Sequence, residues 1–212
     1  MPPPDFDAAF RDQFTTLLRW RRDVRHFRPD PLPGGMLREL LALTELAPSV
    51  GLSQPWRFAI VDDPARRAMV RASFEACNAE ALAGLGCERA GLYARLKLAG
   101  LDSAPCHLAV FVDPEPEQGH GLGRRTMPET VAYSAVTAIH TLWLAARAHG
   151  VGVGWVSILE PAAVTSALDL PASWRFVAYL CLGYPMDEQE VPELEREGWE
   201  TRRATGQTVI PR

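Results

Sequence analysis

Lysine is nearly absent from this 212-residue sequence, where Lys97 stands alone against 21 arginines. The 22 basic side chains are slightly outnumbered by 26 acidic ones, giving a formal charge of −4. A chain so balanced offers no electrostatic footprint for a polyanion, so no nucleic-acid partner is expected. Cysteines are few and scattered, at positions 77, 87, 106 and 181. They form no CxxC pair and have no His pair at metal spacing beside them, so buried thiols are expected in place of a disulfide framework, and no metal. No stretch before Phe14 is apolar enough for a signal peptide. The longest apolar region, 131–148, is interrupted by Ser134, Thr137, His140, Thr141 and Arg147, so no membrane span is expected and the chain reads as cytoplasmic. The Gly-x-Ser-x-Gly elbow is missing, and none of the five histidines pairs with Ser or Cys as a hydrolase would need. Nor is there a dinucleotide loop. Gly150, Gly152 and Gly154 lead from a helix into a strand, the reverse of the required order, and Gly119, Gly121 and Gly123 lie too far from the strand before them.

What is present is an ordinary globular composition, 47% hydrophobic and 23% charged, which argues against a disordered or fibrous chain. A chain of this length buries roughly 70–75% of its unfolded surface, so one domain over 1–212 is expected, with 1–15 and 204–212 peripheral or arm-like. Apolar spacing predicts helices over 7–21, 36–47, 64–78, 88–100 and 161–168, and strands over 56–61, 107–112, 153–158 and 175–182. The region 131–149 reads as a helix apolar on nearly every face, buried in the core or at a subunit contact, with His140 a core histidine. This order is no regular βαβ alternation. It predicts an α+β fold with one sheet and a helical layer on each side.

Three segments carry candidate chemistry. Arg19, Arg21, Arg22 and Arg25 form the densest cationic cluster, and planar guanidinium forks suit phosphate, although a solvated charged turn is the plainer reading of the cluster alone. Asp23 inside it would repel a phosphate, so its carboxylate should point away, toward hydroxyl or amide donors on the same ligand. The stretch 47–56 sets Ser49, Ser53 and Gln54 between two prolines, with Gly51 allowing close approach, and reads equally as a well-specified turn. In 150–157 the glycines would let the backbone approach a flat ring and Ser157 present its hydroxyl to it, against the commoner role of a buried, backbone-bonded serine.

Taken together the three segments resemble the nitroreductase-type flavoprotein superfamily, over about 17–203. The detail is closest to its flavin-consuming 5,6-dimethylbenzimidazole synthase branch, on the matches RRDVRHF (21–27), APSVG (47–51), YARLKL (93–98), TMPET (126–130), GWVSI (154–158) and GWETR (198–202). Asp23, where typical nitroreductases carry a small polar residue, favours that branch. The resemblance implies a nitroreductase-like fold, its central sheet mainly antiparallel and flanked by helices, in a homodimer with FMN at the interface. It implies that Arg21, Arg22, Arg25 and Arg202 bind the phosphate, that Ser49, Gly51, Leu52 and Ser53 line the ring or ribityl chain beside Val24 and Gly154, and that 93–98, with Leu98, forms a lid. Reduced FMN would be cofactor and substrate at once, fragmented with O₂ to 5,6-dimethylbenzimidazole and erythrose 4-phosphate, the benzimidazole being the lower ligand of vitamin B12. Asp23, held ionised by its arginine neighbours, and Ser157 would be the catalytic residues. With no nicotinamide motif, a separate flavin reductase would supply the FMNH₂. A nitroreductase or dehalogenase using NAD(P)H and a non-catalytic flavin-binding protein are the alternatives.

Overall fold

A computed structural model describes residues 3–84, 93, 99–203 and 209–210. The expected helix over 88–100, and the lid apart from Tyr93, therefore lie outside the described residues. Helix α1 (Ala8–Trp20) starts where the Asp7 carboxylate accepts the Phe10 N–H, and α2 is Met36–Leu43. Two short 3₁₀ turns, Thr44–Leu46 and Val50–Leu52, then lead into β1 (Trp56–Ile60). Helix α3 (Pro64–Ala83) begins at an Asp63 cap with Pro64 in its first turn, where the missing N–H costs nothing. After α4 (Gly100–Ser103) come β2 (Cys106–Val112), α5 (Thr130–Ala148), β3 (Gly152–Val156), α6 (Pro161–Leu168), β4 (Arg175–Gly183) and α7 (Glu193–Arg196).

The strands form one sheet in the order β1-β2-β4-β3, antiparallel at every junction. The α+β architecture expected from the sequence is therefore present. β2 is buried along its whole length, because both faces of the sheet are covered. Ala109, Phe111, Tyr179 and Cys181 pack with Val70 of α3 and Val164 of α6 on one face. Leu108, Val110, Leu180 and Leu182 pack with Leu40 of α2 and Ile139 and Leu142 of α5 on the other. Each fully buried Leu or Phe there contributes roughly 1.5–3 kcal/mol of transfer free energy, and the two-sided burial explains why HLAVFV shows no polar alternation.

Helix α5 is not covered all round. Tyr133, Val136 and His140 form an exposed stripe along it, 56% exposed at Tyr133 and 42% at Val136. His140 is thus a surface residue, not the core histidine expected. The buried histidine is His107, whose Nδ1 lies 3.0 Å from the Tyr179 hydroxyl. Burial pushes the His107 imidazole down to about 4. Helix α1 buries none of its residues, and Phe6, Phe10, Phe14 and Leu18 leave an apolar row open to solvent.

Candidate functional site

β3 is an edge strand, and the segment following α1 closes its outer side. The Val24 N–H donates to the Val153 carbonyl at 3.0 Å, and the Trp155 N–H donates to Asp23 Oδ1 at 2.8 Å. Asp23 and Val153 form a one-residue parallel bridge. This strap fits only because β3 carries glycines beneath it. A Cβ on Gly154 would lie 2.1 Å from the Val24 carbonyl oxygen, and one on Gly152 would lie 2.7 Å from Val24 Cγ2. The glycine-rich strand thus admits the chain's own backbone, a reason for glycine at 154 beside the flat ring expected from the sequence. Val24, expected beside the cofactor, packs its side chain into the core cluster containing Phe27 and Tyr179.

From the strap the charged side chains project. Arg21, Arg22, Asp23, Arg25 and Arg202 line a cavity of about 200 Å³, closed on the other side by Pro192, Glu193 and Leu194. Arg202, 180 residues or so along the chain from the cluster, therefore does return to it, and its charge together with burial lowers the proton affinity of both Arg21 and Arg22. Arg21 Nε and Arg22 Nε are buried without a hydrogen-bond partner. Buried cationic donors left unpaired are costly, and four guanidinium groups facing one space favour an anion with several acceptor oxygens. The donor set thus fits the phosphate of a flavin mononucleotide.

Arg25 lines the same cavity and is ion-paired as well. It pairs with Asp23 Oδ2 at 3.6 Å and with Glu193 Oε2 at 3.8 Å, so its charge is already balanced by two carboxylates. Asp23 departs from expectation. Burial raises its carboxyl above the ordinary value of 3.8, outweighing the Trp155 N–H and Arg25, which favour the ionised form, while Glu193 adds to the upward shift. The arginine neighbours therefore do not hold it ionised as firmly as the sequence suggested. One carboxylate oxygen is fixed to the sheet edge and the other faces Arg25 and the cavity.

The second segment sits elsewhere on α5. The Thr137 hydroxyl donates to the Pro48 carbonyl at 2.7 Å, and the Val50 N–H donates to Ser134 Oγ at 3.0 Å. Ser49 Oγ accepts the Gln54 N–H. Gly51, Leu52 and Gln54 all have positive φ, at 57°, 54° and 42°, and Leu52 is 69% exposed. Left-handed backbone at a bulky, exposed residue costs about 1–2 kcal/mol. Ser53 Oγ is buried without a partner. A Cβ on Gly51 would meet the carbonyls of Gly119 and Leu122 at 3.1 Å, so this loop packs against the glycine-rich loop 119–123.

These residues are not gathered with the arginines. Residues 48–55 line neither the cavity around Arg21, Arg22 and Arg202 nor the neighbouring one of about 230 Å³ along Asp23, Arg25 and Glu197. Ser134 lies nine positions along α5 from Trp143, against which the arginine strap rests, or about 13 Å of helix. Ser157 stands exposed just beyond β3, two residues past the Trp155 that holds Asp23. Leu98 lies outside the described residues, but Tyr93 from the same stretch donates its hydroxyl to Asn78 Oδ1 at 2.9 Å. Its ring is 6.2 Å from that of Trp199, so Tyr93 of the one motif meets Trp199 of the other. Among the described residues no cluster of His, Cys, Asp and Glu could hold a metal, and no helix is long and apolar enough to cross a membrane. The sequence reasoning missed Trp143, whose indole N–H donates to the Arg22 carbonyl at 3.0 Å. An aromatic residue in an apolar helix carries no mark of such a bond.

Comparisons with known proteins agree with this geometry. The model of the nitroreductase family matches residues 18–184. A protein of Rhodospirillum rubrum named 5,6-dimethylbenzimidazole synthase is 61% identical over 94% of this chain and 95% of its own. One of Rhodobacter capsulatus with the same name is 50% identical over 95% and 97%. Among solved structures, oxidized iodotyrosine deiodinase bound to FMN and 3-iodo-L-tyrosine superposes with a TM-score of 0.73 at 24% identity, covering 93% of this chain and 97% of that one, which speaks for the fold alone. The antiparallel sheet between two helical layers accords with these alignments, which place the chain in the nitroreductase family, on the side of its 5,6-dimethylbenzimidazole synthase relatives.

Proposed function

We propose that this protein is a 5,6-dimethylbenzimidazole synthase that acts on reduced FMN with dioxygen. The observation that carries the reading is the carboxylate of Asp23 in the wall of the cavity formed by Arg21, Arg22 and Arg202. A flavin recycled by NAD(P)H needs the arginines alone. Bound there, reduced FMN would supply the ring system and, from ribityl C1′, the C2 carbon of the benzimidazole, with O₂ as oxidant and erythrose 4-phosphate departing.

Arg21, Arg22 and Arg202 hold the phosphate, and Arg25, pinned between Asp23 and Glu193, orients the carboxylate. Breaking a carbon–carbon bond next to hydroxyl groups requires proton transfer. A carboxyl raised by burial lies closer to neutral pH and so exchanges protons better than an ordinary one, which suits Asp23 to accept a proton from the ribityl region. Ser157, exposed past the end of β3, hydrogen-bonds the ring edge in this reading. Tyr93, beside Asn78 and Trp199, anchors the lid that keeps water out.

The site is completed in a homodimer. Ser49, Gly51, Leu52 and Ser53 line neither of the two cavities beside the strap, and a partner's copy of that loop would supply the missing wall. The open rows on α1 and α5 are apolar surfaces of the kind that such a partner covers. FMNH₂ comes from a separate reductase in the cytoplasm. Aerobic incubation of the protein with chemically reduced FMN tests the reading: dimethylbenzimidazole in proportion to enzyme and flavin is expected, whereas plain reoxidation of the flavin would refute it.

A further inference from the structure

Two arginines of the strap are held by different means. Arg25 lies between the carboxylates of Asp23 and Glu193. Arg21 instead lies over the ring of Trp143, its guanidinium carbon 5.1 Å from the ring centroid, while the same indole donates its N–H to the carbonyl of Arg22 at 3.0 Å. Trp155 stands 6.4 Å from Trp143, centroid to centroid, and its backbone N–H holds Asp23. Consecutive residues 21, 22 and 23 are thus fixed by two neighbouring tryptophans, one from α5 and one from β3.

The kind of partner matters. A carboxylate orients an arginine but balances its charge and competes with any incoming anion. An aromatic face attracts the guanidinium through its quadrupole, restrains a side chain that otherwise loses about 2 kcal/mol of rotamer entropy on ordering, and leaves the full positive charge facing outward. Trp143 does not line the cavity around Arg21, Arg22 and Arg202, so it acts on an anion only through Arg21 and Arg22, the two arginines it contacts.

From this geometry we infer that Trp143 is the positioning residue of the phosphate subsite, and that it sets how strongly the protein prefers a phosphorylated flavin to the same flavin without phosphate. The inference rests on the flavin reading above. Its test is a fluorescence titration of the whole protein with oxidised FMN and with riboflavin, in the wild type, Trp143→Phe and Trp143→Leu. The wild type binds FMN the more tightly. Trp143→Leu, lacking both the ring and the donor, lowers the FMN-to-riboflavin affinity ratio about tenfold with riboflavin affinity nearly unchanged. Trp143→Phe keeps the ring and loses the donor, so its ratio falls by less, about threefold. A purely structural role would weaken both flavins in the same proportion, and that result, or an unchanged ratio in both variants, overturns the inference. Should Trp143→Leu fail to fold, the ratio in Trp143→Phe decides. A wild type that does not distinguish the two flavins would defeat the phosphate reading itself, whereas a clear wild-type preference that survives both substitutions defeats only the role of Trp143.

Discussion

The strap over β3 and the loop 48–55 rest on the same helix and are built on opposite principles. Each residue from Arg21 to Val24 is held by a directed contact from elsewhere in the fold, and its charged groups are left facing a cavity. The loop has no charge, and its shape comes from its own backbone, with three positive φ values in four residues and two hydroxyls of α5 as anchors. The difference separates two tasks. The strap offers strong, specific electrostatics, while the loop offers a fixed neutral surface whose strain persists because its neighbours hold it.

Substitutions can set the two against each other. Asp23→Asn has the largest effect, because the amide oxygen still accepts the Trp155 N–H while the proton acceptor is gone. Product from reduced FMN should fall about 10²–10⁴-fold with FMN affinity within a few-fold of wild type, and undiminished product would move the chemistry away from the strap. The same carboxyl carries a pH signature. Being raised in the folded state, it favours folding below its ordinary value of 3.8, and that contribution is lost as pH rises through the folded value. Urea midpoints of Asp23→Asn compared with wild type across the acid range should lack this slope.

Arg202→Ala comes next. Removing a charged donor to a phosphate costs about 1.5–3 kcal/mol, so FMN should bind about 10–100-fold more weakly while riboflavin is unaffected. Equal losses for both flavins would mean that the tail shapes the whole cavity. Gly154→Ala forces a methyl toward the Val24 carbonyl and should cost about 1–3 kcal/mol in denaturant unfolding, with loss of FMN affinity as the strap lifts. Gly51→Ala, at φ 57°, should cost about 1–2 kcal/mol without touching the strap, and a matching loss of FMN affinity would show the loop to be the more important wall. Ser53→Ala is the mildest. Its hydroxyl is buried and unpartnered, so melting should be unchanged, and any loss of flavin affinity by calorimetry would identify the ligand as its missing partner.

Some of this was legible in the sequence. Helix α6 was read with its bounds, since Pro161 marks a first turn and the helix ends at Asp169, whose backbone is left-handed. The alternation that sorts strands was erased in β2 by burial on both faces, yet a short apolar run flanked by turns still identified it. The arginine cluster was visible as composition, but its division was not. That Arg25 faces Glu193 and Arg21 faces Trp143 depends on contacts more than 100 residues apart in the chain, and no local pattern encodes them. Arg202 was placed by resemblance alone. His140 was misjudged because an apolar helix does not reveal which of its stripes the sheet will cover.

The strap has a further consequence for a chain released from the ribosome or loosened by heat. An edge strand with open N–H and C=O groups invites a strand from another molecule, and β3, reading GVGWV, has neither a charge nor a proline to discourage it. Val24 and Asp23 occupy that edge, so the segment that presents arginines to an anion is also the gatekeeper against sheet-to-sheet aggregation. Any ligand that keeps the arginines seated would keep the protein soluble as well.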